Sequence, residues 1–502
     1  MSQIKKGITL SYVLILVNNL IRLTYTPFLI RSLGQSEYGL YALAVSTVGY
    51  LSIMDLGLGN AMIRYTAKYL RLNDYKTLNG LHGMFLKIYA MIGIVVAIFG
   101  YILYLNAEFF FQESMNDLEL GKMKILILLL TFNLAITFPF SIFNSVIIAN
   151  ERFVFSRVLS IVSVLLNPIL MTPFLLMGYK SITLVLVITG INIFTLTANY
   201  IYCRKKINIS PSYFYFDKSL LKEILGYSFY VFLNAIVDQI YWNSGQFILG
   251  SVSGTKSVAV YSVAITLKNL YFAMSTSMVG LMLPKVTKMI TDKVSNAELT
   301  KMFVKIGRLQ YILLSAILMG FVFFGNQFIF LWVGKDYNES FFIALWIMIP
   351  VTIPLIQNLG ITILQAKNEQ RFRSVCYLII ALINISFAIP AAKAYGGLGC
   401  AMVTGFSLII GNGIIMNIYY HRKIKLNMIL FWREIVKLSI PLITTATAYL
   451  LFKYFFSPEN SLIHYFVHIC VFVSLFAISM WFIGVNNYER KIVEKLLNRI
   501  RI

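Results

Sequence analysis

The chain has 502 residues, 59% of them hydrophobic and 13% charged, with a formal net charge of +23. Soluble domains carry about 25% charged residues, so this composition excludes a soluble protein and implies a polytopic membrane protein. The four cysteines, Cys203, Cys376, Cys400 and Cys470, show no CxxC and no paired spacing, which argues against a disulfide framework or a zinc site.

At about 20 residues per crossing, the apolar runs predict fourteen transmembrane helices. In chain order they fall at 8–30, 38–60, 84–106, 123–148, 154–178, 181–203, 227–250, 257–283, 309–333, 341–365, 374–394, 397–420, 435–456 and 461–485. Lys5 and Lys6 precede a first apolar run that reaches Ile30 without a small-residue cleavage site, so an uncleaved first span is expected. Basic residues then divide by side. The N-terminus, the connections after even-numbered spans and the C-terminal tail, with the adjoining span ends, hold 33 Lys and Arg, the opposite side holds 8, and Arg22 and Lys268 lie deep inside spans. By the positive-inside rule both termini are expected in the cytoplasm, and the charge serves orientation and attraction to anionic lipid rather than nucleic acid.

Span 1 contains Asn18, Arg22 and Tyr25, and span 7 contains Asn234, Asp238 and Tyr241, each set at i, i+4 and i+7 and the two offset by 216 residues. Each therefore puts one polar stripe with a central charge on a helix face. Nearly the same offset, 216 to 218, recurs elsewhere. Ala149, Asn150, Glu151, Arg152 and Phe153 after span 4 match the turn from Ala366 to Phe372 after span 10, with an offset of 218 at the Glu. Asn167 matches Asn384, and Tyr202–Lys205 matches Tyr420–Lys423. An internal duplication follows, with six spans between equivalents, so the halves are parallel repeats about an axis along the membrane normal. The expected organisation is all-α: two six-helix lobes, 1–206 and 207–425, then two extra helices and a basic tail over 426–502.

Connections on the outer side are short, the longest running from about Asn106 to Lys122, and leave no room for a catalytic domain. On the inner side, Ala61–Asn79, Pro284–Arg308 and the tail from Tyr488 read as basic amphipathic helices at the headgroups. A charge near the bilayer centre costs roughly 3 kcal/mol on insertion scales, so Arg22, Asp238 and Lys268 are functional candidates. Two cations suit an anion such as pyrophosphate, with Arg22 as a fork and Lys268 as a point charge. Asn18, Tyr25, Asn234, Gln239 and Tyr241 are candidates for sugar hydroxyls, and Asn133 and Thr137 on span 4 for a wet cavity wall. Arg22 and Asp238 are equally readable as a latch between lobes.

Asp55, at the inner end of span 2, is a second candidate for gating or ion coupling, although a helix-end contact is the plainer reading. His464 and His468 have a metal-ligand spacing but no third ligand nearby, and packing is favoured. Prolines including Pro27, Pro139, Pro168 and Pro173 fall within spans, where lone prolines kink helices.

The stretch Met54, Asp55, Leu56, Gly57, Leu58, Gly59, Asn60, Ala61 leading into Arg64 and Tyr65, the turn from Ala149 to Phe153 and the topology together resemble the Wzx-type polysaccharide flippases of the multidrug/oligosaccharidyl-lipid/polysaccharide exporter superfamily. The resemblance covers the whole chain. It implies translocation of undecaprenyl-pyrophosphate-linked oligosaccharide repeat units across the bacterial inner membrane by alternating access, for O-antigen, capsule or exopolysaccharide. It also implies a cationic cavity between lobes, which Arg22 and Lys268 fit, and a lipid-tail groove near spans 13 and 14. No cofactor and no catalysis are expected. A proton or sodium ion is the expected coupling ion, with Asp238 its first candidate carrier, and a polysaccharide polymerase and chain-length machinery are the expected partners. The alternatives are a lipid II flippase, whose substrate also carries pyrophosphate, and a cation-coupled multidrug exporter, against which a cation surplus argues. A repeat-unit polymerase predicts a large outer loop that the sequence lacks.

Overall fold

A computed structural model describes residues 3–212, 214–279, 282–367, 369–456, 461–491 and 494. Among these residues every regular element is a helix. The first ten are α1 (Gln3–Leu33), α2 (Gln35–Gly49), α3 (Leu58–Arg71), α4 (Tyr75–Leu105), α5 (Ala107–Phe111), α6 (Asp117–Ala149), α7 (Phe153–Leu176), α8 (Ser181–Tyr202), α9 (Lys218–Val252) and α10 (Gly254–Val279). There follow α11 (Leu283–Thr291), α12 (Asn296–Val333), α13 (Glu339–Ile356), α14 (Asn358–Ala366), α15 (Arg371–Leu408), α16 (Met416–Arg422), α17 (Met428–Lys437), α18 (Ser439–Phe455) and α19 (Leu462–Ser479). Asn368 of the second repeat turn and most of the basic tail after Tyr488 lie outside the described residues.

Twelve helical stretches are long and apolar enough to cross a membrane, or thirteen if Lys218–Gly226 and Val231–Val252, bent by 45°, form one broken span. The protein is thus a multi-pass membrane protein, and the expected count of fourteen is corrected. The expected spans 374–394 and 397–420 fall in one helical stretch, Arg371–Arg422, of 52 residues. At about 1.5 Å per residue this stretch exceeds two bilayer cores of about 30 Å. Gly396, at φ 56° and ψ −136°, is its one non-helical break within α15, and only a residue without a Cβ adopts that backbone cheaply.

The long helices show why a bilayer is their solvent. On α4, Leu81, Phe85, Tyr89 and Val96 are buried while Met91, Ile94, Ile98, Ile102 and Leu105 are exposed at helical spacing. In water that stripe would be an aggregation surface, and in lipid it costs nothing. The amphipathic inner segments are shorter than their sequence pattern. α3 buries Leu58, Ala61, Met62, Tyr65 and Thr66 and ends at Arg71, because Asn73 turns left-handed and Asp74 caps α4 through the backbone N–H of Thr77 at 3.0 Å. The Pro284–Arg308 segment likewise divides, since α11 ends at Thr291 and α12 begins after the Ser295 cap.

By packing, the chain separates into two compact units, residues 1–266 with 374–403 and residues 267–373 with 404–502. In the first unit α4 lies along α6 and α6 along α8, while α1 lies along α7. Small residues allow the close approach: a Cβ on Gly93 would sit 2.7 Å from the Ala135 carbonyl oxygen, and one on Gly100 2.1 Å from Thr131. The end where α1 meets α2 is knitted by polar contacts. Glu37 accepts from Lys122 Nζ and from Ser181 Oγ. Glu119 accepts from Ser36 Oγ and, at 2.8 Å, from Thr255 Oγ1, and a Cβ on Gly39 would lie 1.8 Å from the Thr255 carbonyl oxygen.

In the second unit α18 and α19 pack on α12 through Phe324, Tyr449, Tyr465 and Phe472. His468 is buried there and shares a 3.2 Å hydrogen bond with the Tyr449 hydroxyl. At the other end of α12, Arg308 is 4% exposed. It donates to both carboxylate oxygens of Glu489 at 2.8 and 3.0 Å and to the Gly484 carbonyl at 2.8 Å.

Candidate functional site

The polar stripe of the first span faces a cavity in the first unit. This recess, of about 310 Å³, has Asn18, Arg22 and Tyr25 of α1 on one side, Ser163 and Asn167 of α7 on another, and Tyr41 of α2 at its edge. The i, i+4, i+7 spacing brings the three α1 side chains to one face, and α7 is the helix α1 packs along. Arg22 is exposed to the recess and makes no ion pair among the described residues. The Tyr25 hydroxyl is buried and makes no well-formed hydrogen bond, although Thr172 of α7 faces it. A buried hydroxyl left in that state costs about 1–3 kcal/mol unless a ligand or water completes it. Asn18 donates to the Leu14 carbonyl at 3.1 Å, which leaves its amide oxygen to accept. Ser163 is held on its own helix by the Leu159 carbonyl at 2.9 Å and across to Thr195 at 2.8 Å.

A guanidinium among two amides, hydroxyls and phenols is a donor-rich setting for a phosphate or a polyol, and it lacks the carboxylates that a cationic ligand needs. Sequence reasoning missed Tyr41 and Ser163 and met Asn167 only as a repeat position. These residues come from two further helices, and a periodicity argument sees one helix at a time.

The other candidates lie elsewhere. Asn133 and Thr137 do not line this cavity. The Asn192 amide donates to Asn133 Oδ1 at 2.6 Å and to Thr137 Oγ1 at 2.7 Å, and the Asn133 amide donates to Thr189 Oγ1 at 3.0 Å. The stripe on α6 thus closes on α8. Asp55 accepts from the Tyr89 hydroxyl at 2.9 Å, just before the left-handed pair Leu56 and Gly57 that starts α3. On α9, Asn234 accepts from Ser374 Oγ at 3.2 Å and the Gln239 amide packs on Gly49, whose Cβ would lie 2.9 Å from it. Tyr241 packs its ring on Trp242 at 5.7 Å, and Asp238 is exposed on the same helix. Lys268 belongs to the second unit, where it is 4% exposed with its ammonium 5.9 Å from the Phe272 ring centre.

The fold has known counterparts. The chain is similar to a lipid II flippase, MurJ, in an inward closed conformation, with a TM-score of 0.70 and 15% identity over 94% of this chain and 97% of that one. It is also similar to an inward-facing multidrug resistance MATE family transporter of the MOP superfamily, with a TM-score of 0.65 and 14% identity over 79% and 92% of the two chains. In sequence it is 21% identical over 410 residues to a protein of Shigella flexneri named for O-antigen transport, covering 78% of this chain and 92% of that protein. Residues 4–289, more than half of the chain, match the sequence profile of one family, and the protein belongs to it: the polysaccharide biosynthesis protein family.

Proposed function

We propose that this protein is a flippase that carries lipid-linked oligosaccharide repeat units, on undecaprenyl pyrophosphate, across the bacterial inner membrane by alternating access. The observation that carries the reading is Arg22, a membrane-embedded cation in a cavity of amides and hydroxyls with no carboxylate in its lining. Arg22 meets the diphosphate as a bidentate donor, Asn18, Tyr25 and Asn167 take sugar hydroxyls, and Lys268 supplies a second cation. Asn234, Gln239 and Tyr241 extend the polar path, and Asp238 carries the coupling proton or sodium ion. The basic connections lie in the cytoplasm with both termini, and the lobes 1–206 and 207–425 rock about the site. A polymerase and chain-length machinery then take the unit on the outer face. The similarity to a protein named for O-antigen transport supports this substrate class.

The lipid II flippase is the second reading, favoured by the fold similarity over almost the whole chain. A multidrug exporter for cations fits the arginine poorly.

Depleting the protein and identifying the polyprenyl-pyrophosphate glycan that accumulates distinguishes them. A repeat unit protected from an outside-acting glycosidase supports the reading, and lipid II in its place selects the second. An outward-facing repeat unit, or no accumulation, overturns both.

A further inference from the structure

A second recess in the first unit has no part in that reading. It is a cleft of about 280 Å³ between α4, α6 and the end of α8, walled by Leu86, Pro139, Phe140, Phe143 and Tyr200, with Arg204 at its mouth. Its origin is local. α4 and α6 touch at Gly100 and Gly93, and the cleft lies beyond, where Pro139 within α6 and the larger Leu86 of α4 line it. The chain after α8 folds back to form the rim, pinned by Ser212 N–H to the Asn79 carbonyl at 2.9 Å and by Ser212 lying against Gly83. Phe143 and Tyr200 meet edge to face at 5.1 Å, so the walls are fixed.

The polar end is equally defined. Arg204 is held by the Tyr200 hydroxyl and the Ile209 carbonyl, both at 3.4 Å. Lys205 and Lys206 follow it, exposed and without an ion pair among the described residues. No acidic residue lines the cleft. A helix C-terminus favours cations, and so does a cytoplasmic connection, but neither accounts for an apolar slot with Arg204 in its lining.

We propose that this cleft binds one anionic phospholipid of the adjacent leaflet, its phosphate on Arg204 with Lys205 and Lys206 beside it and one acyl chain between Leu86 and the aromatic wall. Basic pockets between transmembrane helices take anionic headgroups in this way. The cleft is at the small end of ligand pockets and has no amide or carboxylate for sugar, so a lipid-linked glycan does not fit it. The site needs only the membrane setting, and its test does not depend on flipping.

The full chain is purified and exchanged into micelles containing equal phosphatidylglycerol and phosphatidylethanolamine, and retained lipid is counted by native mass spectrometry. Wild type is expected to hold one phosphatidylglycerol in preference. Arg204→Gln is expected to lower retention roughly fivefold, and Leu86→Trp, which fills the slot and leaves the cation, is expected to lower it as well. Lys301→Ala, an exposed cation on α12, is expected to change nothing. Melting temperatures identify misfolded variants, and Phe140→Ala replaces Leu86→Trp if the latter fails to fold. Equal retention of the two lipids by wild type overturns the proposal, as does unchanged retention in both site variants. Displacement of the bound lipid by polyprenyl pyrophosphate also overturns it, by returning the cleft to the transported substrate.

Discussion

Removing the charge of Glu489 should unfasten the last two helices from α12. Arg308 and Glu489 are 4% and 2% exposed and are joined by two parallel bonds of 2.8 and 3.0 Å. The same carboxylate accepts the Asn486 N–H at 2.8 Å, and Arg308 also reaches Glu434 at 3.3 Å. Breaking one partner of a buried pair leaves a desolvated charge and costs about 3–5 kcal/mol. Glu489→Gln keeps the shape and leaves Arg308 with Glu434, so its cost is expected near the lower bound, about 3 kcal/mol. Arg308→Met strands the buried Glu489 carboxylate, while Glu434 keeps its ion pair with Lys437, and is expected near the upper bound, about 5 kcal/mol. The double variant removes both charges and should recover about 2 kcal/mol relative to the sum of the singles. The assay is unfolding in mixed micelles, followed by tryptophan fluorescence. Trp432 and Trp481 sit beside the clamp, the indole of the first donating to Asn417 Oδ1 at 2.7 Å and the backbone carbonyl of the second accepting from Arg490 at 3.1 Å. Additive losses in the double variant, or a loss below about 1 kcal/mol in Glu489→Gln, would refute the reasoning.

Four further outcomes are expected. Arg22→Ala should lower repeat-unit transport at least about tenfold and Arg22→Lys by less, since a lysine keeps the charge but not the fork; an unimpaired, well-expressed Arg22→Ala sinks the cationic site. Asn192→Ala removes two bonds from the α6–α8 network and should cost about 1 kcal/mol in the same unfolding assay, at the modest value of membrane hydrogen bonds. Gly39→Ala meets a backbone carbonyl rather than a pliable side chain, so a loss of about 1–3 kcal/mol is expected, visible as a lowered melting temperature. A Ser36→Cys/Thr255→Cys pair, whose hydroxyls lie 3.2 Å apart, should cross-link on oxidation and block transport until reduced; full transport with the link intact denies that this end opens in the cycle.

Much of the fold was legible because a bilayer leaves little choice. The apolar runs behind α4, α6 and α7 are helices because unpaired backbone in lipid is prohibitive. The count failed where that logic is silent, at the continuation through Gly396 and at the bend of α9, since hydropathy does not register a turn inside an apolar run. Arg22 was legible for the opposite reason, as a single charge with a high insertion cost. Asn133 and Thr137 were legible as polar but not as occupied, because their partner Asn192 lies 59 and 55 residues away on another helix. Tyr41 and Ser163 were invisible as cavity residues for the same reason, and Asn167 was visible only as a repeat position.

The bond between Asn192 and α6 has a mechanical consequence. With α8 zipped to α6 by side-chain amides, and α6 pressed on α4 at two glycines, these three helices form a plate that cannot shear without breaking bonds that lipid cannot replace. The Arg22 recess leans on that plate through α8, which supplies Leu184 and Ile188, and through α2, which packs on α6 and supplies Tyr41. Its remaining walls, α1 and α7, contain Pro27, Pro168 and Pro173, each of which removes a rung from the helix ladder. The recess therefore sets the compliant walls α1 and α7 against a stiffer side of α8 and α2, and a change in its volume is borne by the bending of α1 and α7.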